Sequence, residues 1–390
     1  MEEFEREEEA LIANTYTRQP IMIVKGEGPW VWDCDGRKYL DCYSGIAVNN
    51  LGHCHPDVVK AIKEQAERLI HTSNIFYTEP QLMLAKVLAR ESGGYKSFFC
   101  NSGAEANEAA IKLVRKFAGP GEIITATDSF HGRTIATISA TGQPKYQHNF
   151  EPLLEGFRHV SFGDAAAIED VVTEETAAVM LEPIQGEGGV VVPPEDYLKD
   201  VAAICEKKGV LLVLDEVQTG FGRTGEMFAW QDSGVEPDIF TVAKAMGGGM
   251  PIGAMLAKPG VMSAFEPGDH ASTFGGNPVT CAAAVASINV ILKENLLERS
   301  RTLGEYFKTR LSELEARHTA ISDVRGRGLM IGVEIEGDCA KIVEKARERG
   351  MLFNCAHGNV LRFTPPLNID RELIDRIVHA LDSILSEDGL

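Results

Sequence analysis

The feature that most constrains the fold is an alternation of two patterns, which begins at about residue 57. Stretches with helical apolar periodicity alternate with short runs rich in β-branched residues. The candidate helices are 81–92, 105–117, 195–208 and 277–293, and the candidate strands are 97–100, 123–126, 177–181, 210–214 and 239–242. Alternation of this kind predicts an α/β domain built on a mostly parallel sheet.

The pattern changes near both ends of the chain. After about residue 294 a long amphipathic helix is followed by a strand-like run at 329–335, a helix that ends at Arg349, short strands and a final helix. This order predicts a smaller α+β domain. The first fifty residues, with Trp30-Val31-Trp32-Asp33 followed by Asp35-Gly36, resemble a hairpin, and their place in the fold stays open.

The charge balance restricts the partners. The 390 residues include 38 Lys and Arg against 57 Asp and Glu, a formal net charge of −19. Nucleic acid and anionic membranes are therefore excluded as partners, because both require clustered cations. With 44% hydrophobic and 24% charged residues the composition is that of a globular protein.

Cysteine spacing and the N-terminus predict a cytoplasmic location. None of the eight cysteines shows C-x-x-C spacing, which favours an intracellular reducing compartment. The first seven residues are acidic, and no uninterrupted apolar run reaches the roughly 18 residues of a membrane span. Cys42 with His53-Cys54-His55 does not match zinc-ligand spacing, so we predict no metal site.

Three candidate strands end in residues that could carry chemistry. The strand 97–100 leads into Ser102, Gly103, Ala104 and Glu105, where a capped helix N-terminus could bind an anion. Every capped helix in an α/β protein has such an end, so a purely structural cap is the alternative. The apolar strand 210–214 ends at Asp215, and ligands of open α/β sheets bind at such ends. A helix cap or a simple ion pair remains the alternative for this carboxylate.

Lys244 lies two residues after the candidate strand 239–242, and three glycines follow it at 247–249. In apolar surroundings a lysine has a lowered pKa, and its neutral amine is a nucleophile toward carbonyls. Many lysines at strand ends are solvated and inert, which is the alternative here. Other segments offer an aromatic ring and an arginine, a carboxylate in a Gly-rich turn, and hydroxyls before a helix: Phe130 and Arg133, Glu187, and Ser272 and Thr273.

Taken in order, these segments resemble the class III aminotransferases that depend on pyridoxal 5'-phosphate, and among them the acetylornithine and ornithine branch. The resemblance covers almost the whole chain, from Asn14-Thr15-Tyr16 to Leu361-Arg362-Phe363-Thr364-Pro365-Pro366-Leu367. It implies the pyridoxal-phosphate-dependent transferase fold type I, with a mostly parallel seven-stranded sheet in the large domain. It further implies a segment 1–55 belonging to the small domain, a large cofactor domain at 56–293, a small domain at 294–390, and a homodimer with shared sites.

The resemblance also implies roles for single residues. Lys244 would form the Schiff base with the cofactor, and Asp215 would pair with its pyridinium nitrogen. Phe130 and Val217 would sandwich the ring, and Gln218 would approach its phenolic oxygen. Ser102, Gly103 and Ala104 would bind the phosphate at the helix N-terminus, with Thr273 reaching in from the partner subunit.

Substrate contacts follow from the same resemblance. Arg133 matches the arginine that binds the carboxylate far from the reacting amine. Glu187 and Arg362 resemble an ion-pair switch that is closed for the amine donor and opens for the second carboxylate of 2-oxoglutarate. Ser272, Tyr16 and Tyr77 would contact the donor.

The implied reaction moves the terminal amino group of N2-acetyl-L-ornithine to 2-oxoglutarate, a step of arginine biosynthesis. The products are N-acetyl-L-glutamate 5-semialdehyde and L-glutamate. Alternative donors are ornithine, 4-aminobutyrate, succinyl-diaminopimelate and a carrier-bound lysine. Alternatives of other classes are a non-catalytic binding protein on the same scaffold and an isomerase of the same fold.

Overall fold

The structure is a computed structural model and describes residues 2–387; Met1, with which the acidic N-terminal stretch begins, lies outside them. The helices are α1 (Glu2–Leu11), α2 (Ser44–Ala47), α3 (Pro56–Arg68), α4 (Glu79–Glu91), α5 (Gly103–Ala118), α6 (Ile135–Ala140), α7 (Pro144–Gln147), α8 (Ala165–Val171), α9 (Tyr197–Lys208), α10 (Trp230–Ser233), α11 (Pro259–Met262), α12 (Pro278–Lys293), α13 (Leu296–Glu315), α14 (Ala340–Glu348) and α15 (Arg371–Leu385). A 3₁₀ helix spans Lys244–Gly247.

The strands are β1 (Ile23–Glu27), β2 (Trp30–Asp33), β3 (Lys38–Asp41), β4 (Lys96–Cys100), β5 (Glu122–Ala126), β6 (Phe157–Val160), β7 (Thr176–Leu181), β8 (Leu211–Asp215), β9 (Ile239–Val242), β10 (Gly253–Ala257), β11 (Ile321–Arg327), β12 (Met330–Ile335), β13 (Met351–Leu352), β14 (Asn354–Ala356) and β15 (Val360–Phe363). All four candidate helices and all five candidate strands are present, with ends displaced by at most two residues.

A seven-stranded sheet with the order β4-β10-β9-β8-β7-β5-β6 forms the centre of the molecule. The neighbours from β9 to β6 are parallel, and β10 alone runs antiparallel to both of its neighbours. The predicted mostly parallel sheet is therefore confirmed. β6 and β10 were not among the candidate strands.

The central strands are apolar because both faces of the sheet are covered. Every residue of β7, β8 and β9 is buried. Leu212 and Leu214 pack in one core cluster, whereas Leu211 and Val213 pack in a second one. This two-residue period places successive side chains on opposite faces, where α9 and α5 pack against the sheet.

Two smaller sheets lie beside the large one. The first, β1-β2-β3-β13, joins the N-terminal hairpin to the C-terminal part of the chain, because Met351 of β13 pairs with Leu40 of β3. The second has the order β11-β12-β15-β14. The domain boundaries 1–55, 56–293 and 294–390 remain predictions.

Arg223 connects three parts of the chain that are distant in sequence. Its buried guanidinium donates to the carbonyls of Leu329 (2.9 Å) and Pro365 (2.6 Å) and to the side chain of Asn50. Burial lowers the pKa of Arg223 to about 9. These hydrogen bonds hold both chain ends against the loop that follows β8.

Cys339 and Cys355 form a disulfide with a Cα–Cα distance of 6.1 Å. The spacing of the cysteines did not predict this bond, because the two residues are 16 positions apart in sequence. Disulfides persist mainly in oxidising surroundings, so the pair is at odds with the reducing compartment inferred from spacing.

Within the described part of the chain, no single helix is long and apolar enough to cross a membrane. The pair α12 and α13 would reach the required length and hydropathy together, but the two helices meet at 66°.

A close approach between α13 and the turn after β11 yields a stability prediction. A Cβ atom on Gly304 would lie 2.1 Å from the carbonyl oxygen of Gly328, whereas one on Gly260 of α11 would meet nothing within 4 Å. We expect Gly304→Ala to lower the free energy of unfolding by about 2 kcal/mol through overpacking. The control Gly260→Ala should change it by less than about 0.5 kcal/mol. Equal denaturation midpoints for the two variants would contradict this packing.

Candidate active site

A cavity of about 460 Å³ lies at the carboxyl ends of the central strands. Parallel strands bring their following loops to one edge of the sheet, so residues after β4, β7, β8 and β9 converge there. Ten of the predicted site residues line the cavity: Ser102, Gly103, Ala104, Phe130, Arg133, Glu187, Asp215, Val217, Gln218 and Lys244.

The N-terminus of α5 forms one wall. The hydroxyl of Ser102 accepts a hydrogen bond from the backbone N–H of Glu105 at 3.2 Å, as the predicted cap requires. The Glu105 carboxylate accepts from the backbone of Asn101 (3.0 Å), one residue earlier than in a regular capping box. A Cβ on Gly103 would lie 2.7 Å from Val217, so glycine permits the close approach of helix and loop. The sixteen-residue helix thus presents free N–H groups and a positive dipole end to the cavity.

Asp215 is the most heavily hydrogen-bonded acid of the cavity. Its Oδ2 accepts from Nδ2 of Asn107 at 2.8 Å and lies 2.8 Å from Nδ1 of His131. Its Oδ1 accepts from the backbone of Val217 (3.1 Å) and from Thr241 (3.4 Å). The side chain is only 4% exposed, so these donors replace the water that a buried carboxylate loses.

Three of these four donors were not among the predicted site residues. Asn107 lies in α5, His131 follows the predicted Phe130, and Thr241 lies in β9. Thr241 also donates to Oδ1 of Asn107 at 2.7 Å, which orients the amide toward Asp215. The sequence did contain a signal for them, namely polar residues inside otherwise apolar helices and strands. Such residues become buried and therefore need hydrogen-bond partners.

Glu182 supports the loop that carries Phe130. Its carboxyl group accepts hydrogen bonds from the backbone of Phe130 (3.0 Å) and Gly186 (3.1 Å). Burial raises the pKa of Glu182 to about 7. Burial alone would lower the pKa of His131, but its hydrogen bond to Asp215 and the nearby negative charges raise it.

Lys244 begins the 3₁₀ helix after β9 with a left-handed backbone, φ 41°. Burial lowers the pKa of Lys244, although the charge of Glu187 opposes this effect. Among residues 2–387, none hydrogen-bonds to its Nζ atom. The amine therefore faces the cavity with a lowered pKa, and its nitrogen is free to act as a nucleophile.

Glu187 and Arg362 form an ion pair beside this lysine. Nη1 of Arg362 donates to Oε1 of Glu187 at 2.5 Å and to Oε1 of Gln218 at 3.0 Å. Although burial acts in the opposite direction, the charges of Arg362 and Lys244 lower the pKa of Glu187 to about 2. Glu187 separates Arg362, which is 1% exposed, from the cavity.

Four predicted site residues do not reach this cavity within one chain. Ser272 and Thr273 line a separate surface cavity with Asn74 and His270. Tyr16 is 72% exposed, and Tyr77 is fully exposed. Their predicted contacts therefore depend on a second subunit or on movement of their segments.

The cavity fits an aromatic aldehyde that bears a phosphate. The helix end at Gly103 suits the anion, and Phe130 and Val217 provide apolar side chains in the cavity wall that suit a ring. The buried Asp215 suits a protonated ring nitrogen, and the unpaired amine of Lys244 suits the aldehyde.

Comparison with known proteins agrees with this chemistry. Residues 11–385 match the family described as "Aminotransferase class-III". The chain therefore belongs to the class III aminotransferases. Members of this class are enzymes that use pyridoxal 5'-phosphate, so the predicted cofactor and enzymatic activity are confirmed. A non-catalytic binding protein is no longer supported.

Relatives within the family span the same length. An acetylornithine aminotransferase of Methanothermobacter thermautotrophicus is 58% identical over 97% of both chains. That of Methanocaldococcus jannaschii is 52% identical over 95% of both chains. The crystal structure of ornithine aminotransferase from Toxoplasma gondii superposes with a TM-score of 0.95 at 36% identity, over 98% of this chain and 94% of that one. The predicted transferase fold is thereby confirmed.

Glu216, next to Asp215, lies outside the cavity and is fully buried. Its carboxyl group accepts from the backbone of Trp230 at 2.9 Å and from the hydroxyl of Thr219. Burial raises the pKa of Glu216 from 4.5 to about 7. The folded chain thus binds this proton more tightly than the unfolded chain does.

This raised pKa predicts a pH dependence of stability. Between the unfolded and folded pKa values the folded state holds more protons, so the free energy of unfolding falls as pH rises from about 4.5 through 7. Between about pH 5.5 and about pH 8.5, we expect the free energy of unfolding to fall by about 2 kcal/mol less in Glu216→Gln than in the wild type. The measurement is urea denaturation at both pH values, with the exposed Glu206→Gln as control. An unchanged pH dependence in Glu216→Gln would contradict the assignment.

Proposed function

We propose that this enzyme transfers the terminal amino group of N2-acetyl-L-ornithine to 2-oxoglutarate, giving N-acetyl-L-glutamate 5-semialdehyde and L-glutamate. The observation that carries the proposal is the pair of arginines near Lys244, one open to the cavity and one masked by a carboxylate. The curated relatives at 46–58% identity, which are named acetylornithine aminotransferases, support the same donor.

Each part of the cavity has a task in this reaction. When bound, the cofactor supplies an aldehyde that exchanges with amines and a ring that withdraws electrons. The amine of Lys244 would hold the aldehyde until a substrate amine replaces it, and would then be free to move a proton to and from the substrate. Asp215 would accept a hydrogen bond from the protonated ring nitrogen, and its buried hydrogen bonds keep the carboxylate oriented for this contact.

One site must accept two different substrates in turn. Arg133, which is exposed at the cavity, binds the carboxylate far from the reacting amine: the α-carboxylate of the donor or the side-chain carboxylate of 2-oxoglutarate. Arg362 would bind the second carboxylate of 2-oxoglutarate after Glu187 moves away. With the donor bound, Glu187 neutralises Arg362 and no unpaired cation faces the uncharged part of the donor.

A homodimer would complete the site. Exposed apolar side chains cluster near the surface cavity that holds Thr273, among them Ile75, Phe76 and Phe274. Large apolar groups that are exposed together are typical of a contact surface. A second copy on this surface would bring Thr273 toward its partner's cofactor phosphate. The cytoplasmic location inferred from the N-terminus stays a prediction.

The decisive experiment compares amino donors with 2-oxoglutarate as the fixed acceptor. We expect kcat/KM for N-acetylornithine to exceed that for ornithine, 4-aminobutyrate and succinyl-diaminopimelate by about tenfold or more. A preference for 4-aminobutyrate would refute the proposed donor. Turnover of the donor without any acceptor would instead identify an isomerase.

The shared role of Arg133 yields a second prediction. Because both substrates place a carboxylate on this arginine, Arg133→Glu should raise KM for both by about tenfold or more. The control Lys145→Glu makes the same change of charge at a residue that also contacts the ring of Tyr146 but does not line the cavity. An effect of Arg133→Glu on only one substrate would refute the shared carboxylate site.

A further inference from the structure

The three nitrogen atoms of the Arg362 guanidinium have different surroundings. Nη1 contacts Glu187 and Gln218, as described above. Nε donates to Oδ1 of Asn354 at 2.9 Å. Among the residues that the structure describes, Nη2 has no hydrogen-bond partner. The arginine is therefore held at Nε by the neutral amide of Asn354 and at Nη1 by the carboxylate of Glu187, which can move away.

Asn354 is a well-anchored partner. Strand β14 runs antiparallel to β15, and Asn354 lies directly opposite Arg362 in the register. Side chains at opposed positions leave the same face of a sheet, so their contact is built into the backbone pairing. The next residue, Cys355, is bonded to Cys339 at the start of α14, which ties β14 to its neighbouring helix.

We propose that Asn354 is a positioning residue that orients Arg362 for the second carboxylate of the keto-acid acceptor. This inference rests on the proposed function, in which the acceptor uses Arg362 and the donor does not. Because Asn354 occupies Nε, the guanidinium can offer a carboxylate only its Nη1 and Nη2 edge. Two parallel hydrogen bonds from that edge match the geometry of a carboxylate.

The neutral amide suits this task better than an acid would. An aspartate at position 354 would neutralise Arg362 permanently and compete with the incoming carboxylate. Oδ1 of Asn354 instead accepts from Nε and leaves the positive charge free for the substrate. When Glu187 withdraws, the hydrogen bond to Asn354 remains and keeps the plane of the guanidinium in place, so less side-chain entropy is lost on binding.

The test separates the two half-reactions of the holoenzyme in single-turnover absorbance measurements. We expect Asn354→Ala to raise the apparent dissociation constant of 2-oxoglutarate about tenfold, the effect of losing one hydrogen bond to a charged group. The apparent dissociation constant of N-acetylornithine should change by less than about twofold, because the donor does not use Arg362. Asn354→Ser carries the same expectation if Asn354→Ala does not fold.

The matched control is Asn359→Ala. Asn359 lies next to β15, and its amide donates to Oε1 of Glu334 at 3.3 Å without contacting Arg362. A general weakening of this sheet would appear in both variants and in both half-reactions. The proposal is overturned if Asn354→Ala affects donor and acceptor equally, leaves the acceptor unchanged, or behaves like Asn359→Ala. If the wild type itself does not transaminate N-acetylornithine, the proposed function fails instead.

Discussion

The cavity depends on one buried carboxylate at the end of an apolar strand. Removing Asp215 from water is costly unless donors surround it, and the fold supplies them from α5, from the loop after β5 and from β9. The same hydrogen bonds that satisfy the buried oxygens of Asp215 also fix the positions of Asn107, His131 and Thr241. Stability and chemistry therefore impose the same geometry on this edge of the sheet.

The buried cation Arg362 differs from Asp215 in the kind of partners that surround it. Its counterion Glu187 comes from a Gly-rich turn and lies at the cavity wall, where a substrate carboxylate would replace it in the proposed reaction. Asn354 holds the opposite edge from within the sheet. In the proposed reaction, a permanent partner and a replaceable partner would together let this buried cation serve two substrates without being left unpaired.

Local patterns predicted the central elements well because strands buried on both faces are continuously apolar and their helices carry an amphipathic stripe. β6 was missed because Phe157–Val160 lies at the edge of the sheet and contains the polar residues Arg158 and His159, and β10 was missed because Gly253–Ala257, although fully buried, contains no β-branched residue. The disulfide between Cys339 and Cys355 was missed because sequence spacing does not report Cα distance. Arg223 likewise gave no signal, since its three acceptors lie in segments far apart along the chain.

The sequence by itself determined the class of fold, the family and ten of the residues around the cavity, because these residues lie at strand ends, at a helix start or in motifs that resemble those of the family. Tertiary structure alone decided which side chains complete them. Asn107, Thr241 and Asn354 became part of the site only when strands and helices distant in sequence were packed together. Their hydrogen bonds depend on three-dimensional register, which local periodicity does not encode.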